Sequence, residues 1–225
     1  MGAISLPDGR LGTLEPLSEG FLLRLPHGSR RPSPHPRLSL AFFSDSAPAA
    51  TVNDREIPIT LRHAEILTLL ALRPGGLNAE QLTLQLYGDG GNPVTVRAEI
   101  HRLRAQLGAD IVRTKPYRLG ADVDADFLQA RSALRSGDAR ALLDAFGGPL
   151  LPDSEAPAIR DERESLTALV RQLALRSHDP GVLWRFWETS CGADDLAVVK
   201  SLCDALPAGD PRRSMALRHR DRLRG

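Results

Sequence analysis

Residues 91–119, GNPVTVRAEIHRLRAQLGADIVRTKPYRL, restrict the fold of this chain more than any other segment. Asn92 can cap free backbone N–H groups at a helix start, and Pro93 suits the first helical position because its missing N–H would be unbonded there anyway. Gly108 follows the last apolar residue, where a left-handed turn is easiest for glycine. The segment therefore predicts a helix over Pro93–Leu107, followed by a short basic hairpin.

The predicted helix has one apolar face and one small or cationic face. The apolar residues recur at spacings of four, three and four, which at about 3.6 residues per turn form a single narrow stripe. They are Val96, Ile100, Leu103 and Leu107. The opposite face consists of Val94, Arg97, Ala98, His101 and Ala105, flanked by Arg102 and Arg104. Small residues let a helix approach a surface closely, and arginines supply forked donors that match phosphate oxygens or the major-groove edge of guanine.

Positive charge is concentrated in this part of the chain. The whole chain has a formal net charge of +1, which excludes a uniformly basic nucleic-acid coat. Residues 92–119 nevertheless hold six Arg and Lys side chains against the two anions Glu99 and Asp110. A local positive patch on a nearly neutral protein suits docking on a polyanion. The alternative interpretation is a solvated surface helix with ordinary charges.

The residues upstream predict three short antiparallel strands. Apolar residues alternate within 38–42 and 56–59, and residues 51–52 precede a tight turn at Asn53-Asp54. Pro58 cannot donate to a sheet, so it places the last strand at an edge or at the end of the strand.

Two capped helices are predicted between these strands and residue 91. Thr60 is the expected cap of a helix over Leu61–Leu72, and Asn78 with Gln81 has the spacing of a capping box for a helix over Ala79–Tyr87. Together with the helix at 93–107, this arrangement is typical of helix-turn-helix proteins.

The hairpin after the third helix completes a longer pattern. Ile111–Leu119 predicts a strand, a tight bend with Arg113, Thr114 and Lys115 at its tip, and a returning strand that carries Arg118. Strands, three helices and a hairpin in this order predict a winged helix. A narrow minor groove has enhanced negative potential, and such a tip suits it. Tyr117 is expected to pack at the base of the wing.

Residues 37–119 resemble the OmpR/PhoB-type winged-helix DNA-binding domain. The resemblance rests on the N-terminal strands and on EIPITLRHAEILTLLAL, GLNAEQLTLQLYG, VTVRAEIHRLRAQLG and PYRL. GNPVTVRAEIHRLRAQLG is similar to the C-terminal domain of actinobacterial GAF-domain transcriptional regulators. The resemblance implies a recognition helix at 93–107 and a wing at 113–117. The wing is shorter than is usual in the family and has Pro116 in place of a glycine-rich tip.

The expected fold class is α+β, a winged helix-turn-helix followed by an all-α domain. The expected regions are a short β segment over 1–30, a linker over 31–36, the winged helix over 37–122 and a helical bundle over 123–225. The first segment is expected to be a remnant or extension of an upstream sensor domain. AFGGPLLPDSEAPAIRDERESL, residues 145–166, resembles the start of the bacterial transcriptional activator domain, a tetratricopeptide-like module of SARP-type regulators. A repeat of about 34 residues is not visible in the bundle.

Other chemistry finds little support in the sequence. Asp122, Asp124 and Asp126 alternate, but an EF-hand loop would need glycine and glutamate where Phe127 and Ala133 stand, so helix-capping or strand-end roles are expected. The two cysteines form no CxxC pair, and the six histidines are far apart. Trp184, Phe186 and Trp187 are expected to pack internally. We therefore expect no enzyme activity, no metal and no cofactor.

These observations predict a cytoplasmic bacterial transcriptional regulator that binds double-stranded DNA. The expected base-reading residues are Val94, Arg97, Ala98 and His101. The expected contacts to DNA phosphates are Arg62, Arg102, Arg104, Arg113, Lys115 and Arg118, and Thr114 is expected at the hairpin tip that faces the minor groove. RNA polymerase, a sensor domain or protein, and a second copy of the chain are further candidate partners, and no membrane partner is expected. The alternative is a winged-helix and helical module that binds proteins and not DNA.

Overall fold

A computed structural model describes residues 2–5, 11–17, 20–24, 35–43 and 47–224. The chain forms two compact units, Met1–Pro36 and Arg37–Gly225. In the first unit β1 (Gly2–Ser5), β2 (Leu11–Leu17) and β3 (Gly20–Arg24) form an antiparallel sheet in sequence order. These strands match the short strands expected there, whereas most of the linker predicted at 31–36 lies outside the described residues.

The second unit begins with the antiparallel strands β4 (Arg37–Ala41), β5 (Ala49–Val52) and β6 (Arg55–Ile57). The sheet has the order β6-β5-β4-β9, so β6 lies at an edge, as Pro58 predicts. The fourth strand, β9 (Asp122–Ala125), pairs with β4 in parallel and was not predicted from the sequence.

Three helices follow β6, with the predicted bounds. They are α1 (Leu61–Leu72), α2 (Ala79–Tyr87) and α3 (Pro93–Leu107). Each has the predicted cap, and at α2 the amide of Gln81 donates to the side chain of Asn78 at 2.7 Å while the amide of Asn78 donates to the side chain of Gln81 at 2.9 Å. After α3, the strands β7 (Val112–Arg113) and β8 (Arg118–Leu119) form a short antiparallel hairpin.

The rest of the unit is helical. It comprises α4 (Asp126–Ser136), α5 (Ala139–Ala145), α6 (Pro157–Ser177), α7 (Pro180–Trp187), α8 (Leu196–Ala205) and α9 (Pro211–Arg222). The described residues therefore form a mixed α+β protein with strands followed by several helices, which confirms the α+β part of the prediction.

One hydrophobic core extends through the whole second unit. Phe42, at the end of β4, stacks on Phe127 of α4 with ring centroids 6.0 Å apart, and Phe43 packs on Phe146 at 5.0 Å. Phe146 in turn lies 6.2 Å from Phe186 of α7. The boundary predicted between residues 122 and 123 falls inside β9, so the sheet and the bundle share a strand as well as a core.

Helices α1 and α2 pack against α6, so the three-helix part and the bundle are in direct contact. No helix within the described ranges is long and apolar enough to cross a membrane.

Candidate nucleic-acid interface

Helix α3 separates its two faces as the periodicity predicts. Its apolar stripe is buried against the core: Val96, Ile100, Leu103 and Leu107. Its opposite face is exposed to solvent: Val94, Arg97, Ala98, His101 and Arg102. Val94 is 64% exposed although valine is apolar. An exposed apolar side chain beside exposed arginines gives this face both a methyl surface and hydrogen-bond donors, which are the two groups that read base edges.

Two arginines of this face already contact carboxylates. Arg97 Nη2 lies 3.0 Å from Oε1 of Glu80 on α2, and both side chains are more than half exposed. Arg102 Nη1 lies 2.6 Å from Oε1 of Glu99 on the same helix. Exposed pairs of this kind contribute about 0–1 kcal/mol, so a phosphate or a base edge can replace the carboxylate at small cost.

Arg104 has a different environment from its neighbours on α3. Its Nη1 donates to the carbonyl oxygen of Val112, at the first residue of the hairpin, and to that of Ala109 at 3.4 Å. The side chain is half-buried. Arg104 therefore fixes the hairpin to the end of α3, although the sequence predicted that Arg104 would contact the DNA backbone.

Arg62 is likewise held inside the fold. Its guanidinium lies 2.5 Å from Oε2 of Glu65 and 4.4 Å from the ring centre of Tyr87. Glu65 is only 2% exposed and accepts a hydrogen bond from the Ser154 hydroxyl at 2.6 Å. Burial raises the pKa of Glu65, while the Ser154 hydrogen bond and the Arg62 charge oppose that rise. Arg62 thus balances a buried carboxylate that joins α1 to the loop before α6.

The cationic side chains of the hairpin are exposed, and contacts with the turn after α1 hold the hairpin in place. Arg113, Thr114, Lys115 and Arg118 are all exposed. Tyr117 is half-buried, and its backbone N–H and C=O pair with Leu77 at 2.9 Å each, which agrees with its expected place at the wing base. Gly76, with φ +86°, has Pro116 Cγ only 2.7 Å from where a Cβ would lie, so the turn after α1 fits closely under the bend.

The three hairpin cations differ from those of the helices. Within the described part of the chain, the side chains of Arg113, Lys115 and Arg118 have no ion-pair or hydrogen-bond partner. The hairpin is therefore the most available source of positive charge next to α3.

The alternating aspartates have structural partners. One carboxylate oxygen of Asp126 accepts the backbone N–H groups of Phe42 at 2.7 Å and Phe43 at 2.8 Å, and the other accepts that of Phe127 at 2.7 Å. Burial raises the pKa of Asp126, and these backbone hydrogen bonds counteract it. Asp124 accepts a hydrogen bond from Gln129 at 2.6 Å. Among the residues described, His, Cys, Asp and Glu side chains form no group of three or more suited to a metal ion.

Glu80 and a second cationic helix were not predicted from the sequence. Glu80 and Arg97 lie on different helices and are 17 residues apart, so no periodicity relates them. Helix α9 and the residues beside it, 210–224, contain six arginines against two aspartates. The charge pattern of the sequence indicates that segment, because its six arginines lie within 15 residues, whereas the six Arg and Lys side chains of residues 92–119 are spread over 28.

The chain is similar in sequence to a family of helical domains and to a Rhodococcus protein. Residues 179–225, which span α7 to α9, match a family described as the third C-terminal helical domain of a YTH3-like protein. The chain is 36% identical over 173 residues to an uncharacterized 47.3 kDa protein encoded in the thcA 5' region of Rhodococcus erythropolis. This alignment covers 76% of the chain but only 39% of the Rhodococcus protein.

Among solved structures, the chain is similar to Mycobacterium tuberculosis EmbR in complex with a low-affinity phosphopeptide. The TM-score is 0.50 at 17% identity, and the match covers 84% of this chain and 59% of the EmbR chain. The likeness supports the α+β fold with its strands and succeeding helices. The resemblance of residues 145–166 to the bacterial transcriptional activator domain stays a prediction.

Proposed function

We propose that residues 37–122 form a winged helix of the OmpR/PhoB type that binds double-stranded DNA, and that the protein is a transcriptional regulator and not an enzyme. The order of sheet, three helices and hairpin supports this assignment. An α-helix fits the major groove of B-DNA, and a hairpin beside it can reach the neighbouring backbone or minor groove.

The observation that carries the proposal is the solvent-exposed face of α3. Val94, Arg97, Ala98 and His101 are all exposed, and the bundle does not cover them. Had the bundle packed on this face, as it packs on α1 and α2, no duplex could reach it.

We infer separate roles for the cations from their contacts. Arg97 and His101 provide hydrogen-bonding groups for base edges, with Val94 and Ala98 available for close apolar contact. Arg102, Arg113, Lys115 and Arg118, with the Thr114 hydroxyl, contact the backbone. Arg62 and Arg104 position Glu65 and the hairpin respectively, because their guanidinium groups are already engaged. RNA polymerase and a second copy of the chain stay predicted partners.

A salt titration of duplex binding tests the proposal. Each cation that neutralises a phosphate contributes about 0.9 to the slope of log K against log salt concentration. With a labelled random-sequence duplex, Lys115→Ala and Arg118→Ala should each lower that slope by about one unit. Arg135→Ala changes an exposed arginine on α4 and serves as the control, and it should leave the slope unchanged.

The second candidate function is a protein-interaction module that does not bind DNA. It is favoured by the engagement of Arg62, Arg97, Arg102 and Arg104 with other groups of the chain. This candidate predicts no duplex binding even at low salt, and the same titration distinguishes it from the first.

A further inference from the structure

Helices α7 and α9 enclose a groove that lies outside the candidate nucleic-acid interface. Its cavity volume is about 360 Å³, and it is lined by Trp187, Met215, Arg218, His219 and Arg222. A space of this size is at the lower end of the range for ligand pockets and accommodates one or two side chains of a partner.

One wall of the groove is aromatic and firmly packed. The Trp187 ring meets Trp184 edge-on at 4.8 Å and His219 at 5.5 Å between ring centres. The Arg212 guanidinium lies 5.6 Å from the centre of the Trp184 ring on the other side. The Trp187 indole is therefore held between two rings, so little conformational entropy is lost when a ligand packs on it.

Met215 supplies an adaptable apolar surface beside this wall. It is 49% exposed and is the only methionine after the first residue. A thioether is flexible and polarizable, and exposed methionines are common on surfaces that bind varied peptides.

The rim of the groove is cationic. Arg218 is exposed, and no ion pair or hydrogen bond engages it within the described residues. Arg222 Nη2 lies 2.6 Å from His219 Nδ1, and His219 Nε2 lies 2.6 Å from the carbonyl oxygen of Ala193. A carbonyl only accepts, so Nε2 carries the proton and Nδ1 accepts the hydrogen bond from Arg222. The histidine thus orients Arg222 without neutralising it.

Few acidic groups oppose these cations. Asp194 Oδ1 lies 3.9 Å from His219 Nε2, but its side chain is 86% exposed. Asp221 is bound to Arg220, with Nη2 and Oδ1 2.8 Å apart. Arg218 and Arg222 are four residues apart on one helix face, so their side chains are neighbours and their charges reinforce each other. This arrangement favours a ligand with carboxylates on both sides of an apolar group.

We propose that the groove binds an acidic peptide segment of a protein partner. An apolar side chain of the peptide occupies the cavity against Trp187 and Met215, and its flanking carboxylates pair with Arg218 and Arg222. A duplex fits less well, because its backbone is a broad ridge without an apolar projection. The groove is concave, with an aromatic wall and a rim of two arginines, of which Arg222 is held by His219.

The chain provides its own reporter for this binding. Its two tryptophans are Trp187, which lines the groove, and Trp184, which packs on Trp187, so intrinsic tryptophan emission reports on the groove and its immediate support. We would titrate the intact protein with a glutamate-rich peptide that has one central leucine, and with the same peptide that has glutamine at that place. The leucine peptide should shift the emission and bind at least about tenfold more tightly than the glutamine peptide.

Two variants and a control test the contacts. Arg218→Glu should weaken binding of the leucine peptide about tenfold or more, because it sets a like charge opposite the ligand. Met215→Gln should remove the preference for leucine over glutamine. Arg135→Glu reverses an exposed charge on α4 and should change neither quantity. Thermal melting of each variant establishes that the bundle is folded before the titrations are compared.

Several outcomes would overturn the proposal. Equal effects of Arg218→Glu and Arg135→Glu would show that the peptide responds only to overall charge. An emission change with random duplex that Arg218→Glu abolishes, without one for the peptide, would assign the groove to nucleic acid. Self-association that Met215→Gln abolishes, with no peptide binding, would assign it to a second copy of the chain.

Discussion

Helix α3 with its hairpin and helix α9 are equally charged but differ in shape. Residues 92–119 and residues 210–224 each hold six cationic Arg and Lys side chains against two anionic ones. On α3 the cations surround small, exposed residues on a ridge, and the hairpin extends this surface. On α9 the arginines border a groove with a tryptophan wall.

A count of charges alone therefore does not identify the ligand of either surface. A protruding cationic helix such as α3 fits into a groove of a polyanion such as duplex DNA. A groove with an apolar floor and a cationic rim, such as the one beside α9, instead selects a ligand that projects an apolar group. The arginines of each surface also differ in whether their side chains already have a partner within the protein. Arg104 is hydrogen-bonded to Val112, and Arg212 is paired with Asp210. Variants that separate the two surfaces therefore test the account.

The largest effect is expected from reversing charge on the hairpin. Lys115→Glu combined with Arg118→Glu should weaken binding of random duplex at low salt by about 100-fold, because both backbone contacts become repulsive. The same double variant should bind the glutamate-rich leucine peptide as the unaltered protein does. Fluorescence anisotropy with both labelled ligands measures the two affinities, and equal losses would show that the surfaces are not separate.

Arg97→Ala should affect sequence preference more than affinity. A bidentate base contact contributes about 1–3 kcal/mol of discrimination, so duplexes selected from a random library by the unaltered protein should lose most of their advantage over random duplex. Arg97→Lys should restore charge but not the forked geometry, and so restore affinity without preference. A preference retained in full by Arg97→Ala would remove this residue from base reading.

Asp195 links α6 to α8 and so supports the bundle that carries the groove. It caps α8 through the backbone N–H groups of Ala197 and Val198, and Arg171 pairs with it through two nitrogens. Burial tends to raise the pKa of Asp195, but these hydrogen bonds and the Arg171 charge lower it overall. Its folded pKa is therefore below its unfolded value, so its contribution to stability is present at neutral pH and is lost as pH falls through the lowered folded pKa.

Asp195→Asn keeps a cap but removes the charge. We expect a loss of about 1 kcal/mol in the free energy of unfolding at neutral pH, because the pair is partly exposed. The difference from the unaltered protein should shrink below about pH 4. Urea unfolding at several pH values measures it, and a difference independent of pH would contradict the role of the charge. Duplex binding should keep its salt slope.

Glu80→Gln should produce the smallest effect. It removes the carboxylate that holds Arg97, which is 3.0 Å away, and frees the guanidinium for the duplex. Since exposed ion pairs contribute about 0–1 kcal/mol, affinity for random duplex should rise only about two- to fivefold. Gln81→Glu on the same helix adds a negative charge nearby, so its affinity for random duplex should change in the opposite direction. Weaker binding of Glu80→Gln would mean that the carboxylate orients Arg97 productively.

Local signals in the sequence were sufficient for the helices. Thr60, Asn78 and Asn92 act as the predicted caps, and the bounds of α1, α2 and α3 agree to the residue because caps, Pro93 and glycine turns all act within one turn of the helix end. The exposed face of α3 followed from periodicity in the same way. These features depend on neighbours in the sequence.

The features that sequence reasoning missed depend on distant residues. Strand β9 pairs with β4 across more than eighty residues, with Arg37 opposite Asp122. Its alternating aspartates did not indicate a strand. The groove is formed by α7 and α9, so its aromatic wall and its arginine rim come from separate segments. The engagement of Arg104 by Val112 and the hydrogen bond from Ser154 to Glu65 also join separate elements, so no helical spacing predicts them. Arg62 and Glu65, in contrast, are three residues apart on one helix, where ion pairs commonly form.

Hydrogen–deuterium exchange of the intact protein, with and without random duplex at low salt, shows which helices the duplex covers. If α3 and the hairpin bind DNA, the duplex should slow amide exchange within residues 93–107 and 112–119 and leave residues 211–222 unchanged. Slowed exchange in 211–222 with no change in 93–107 would contradict the account, because the duplex would then bind the arginines of α9.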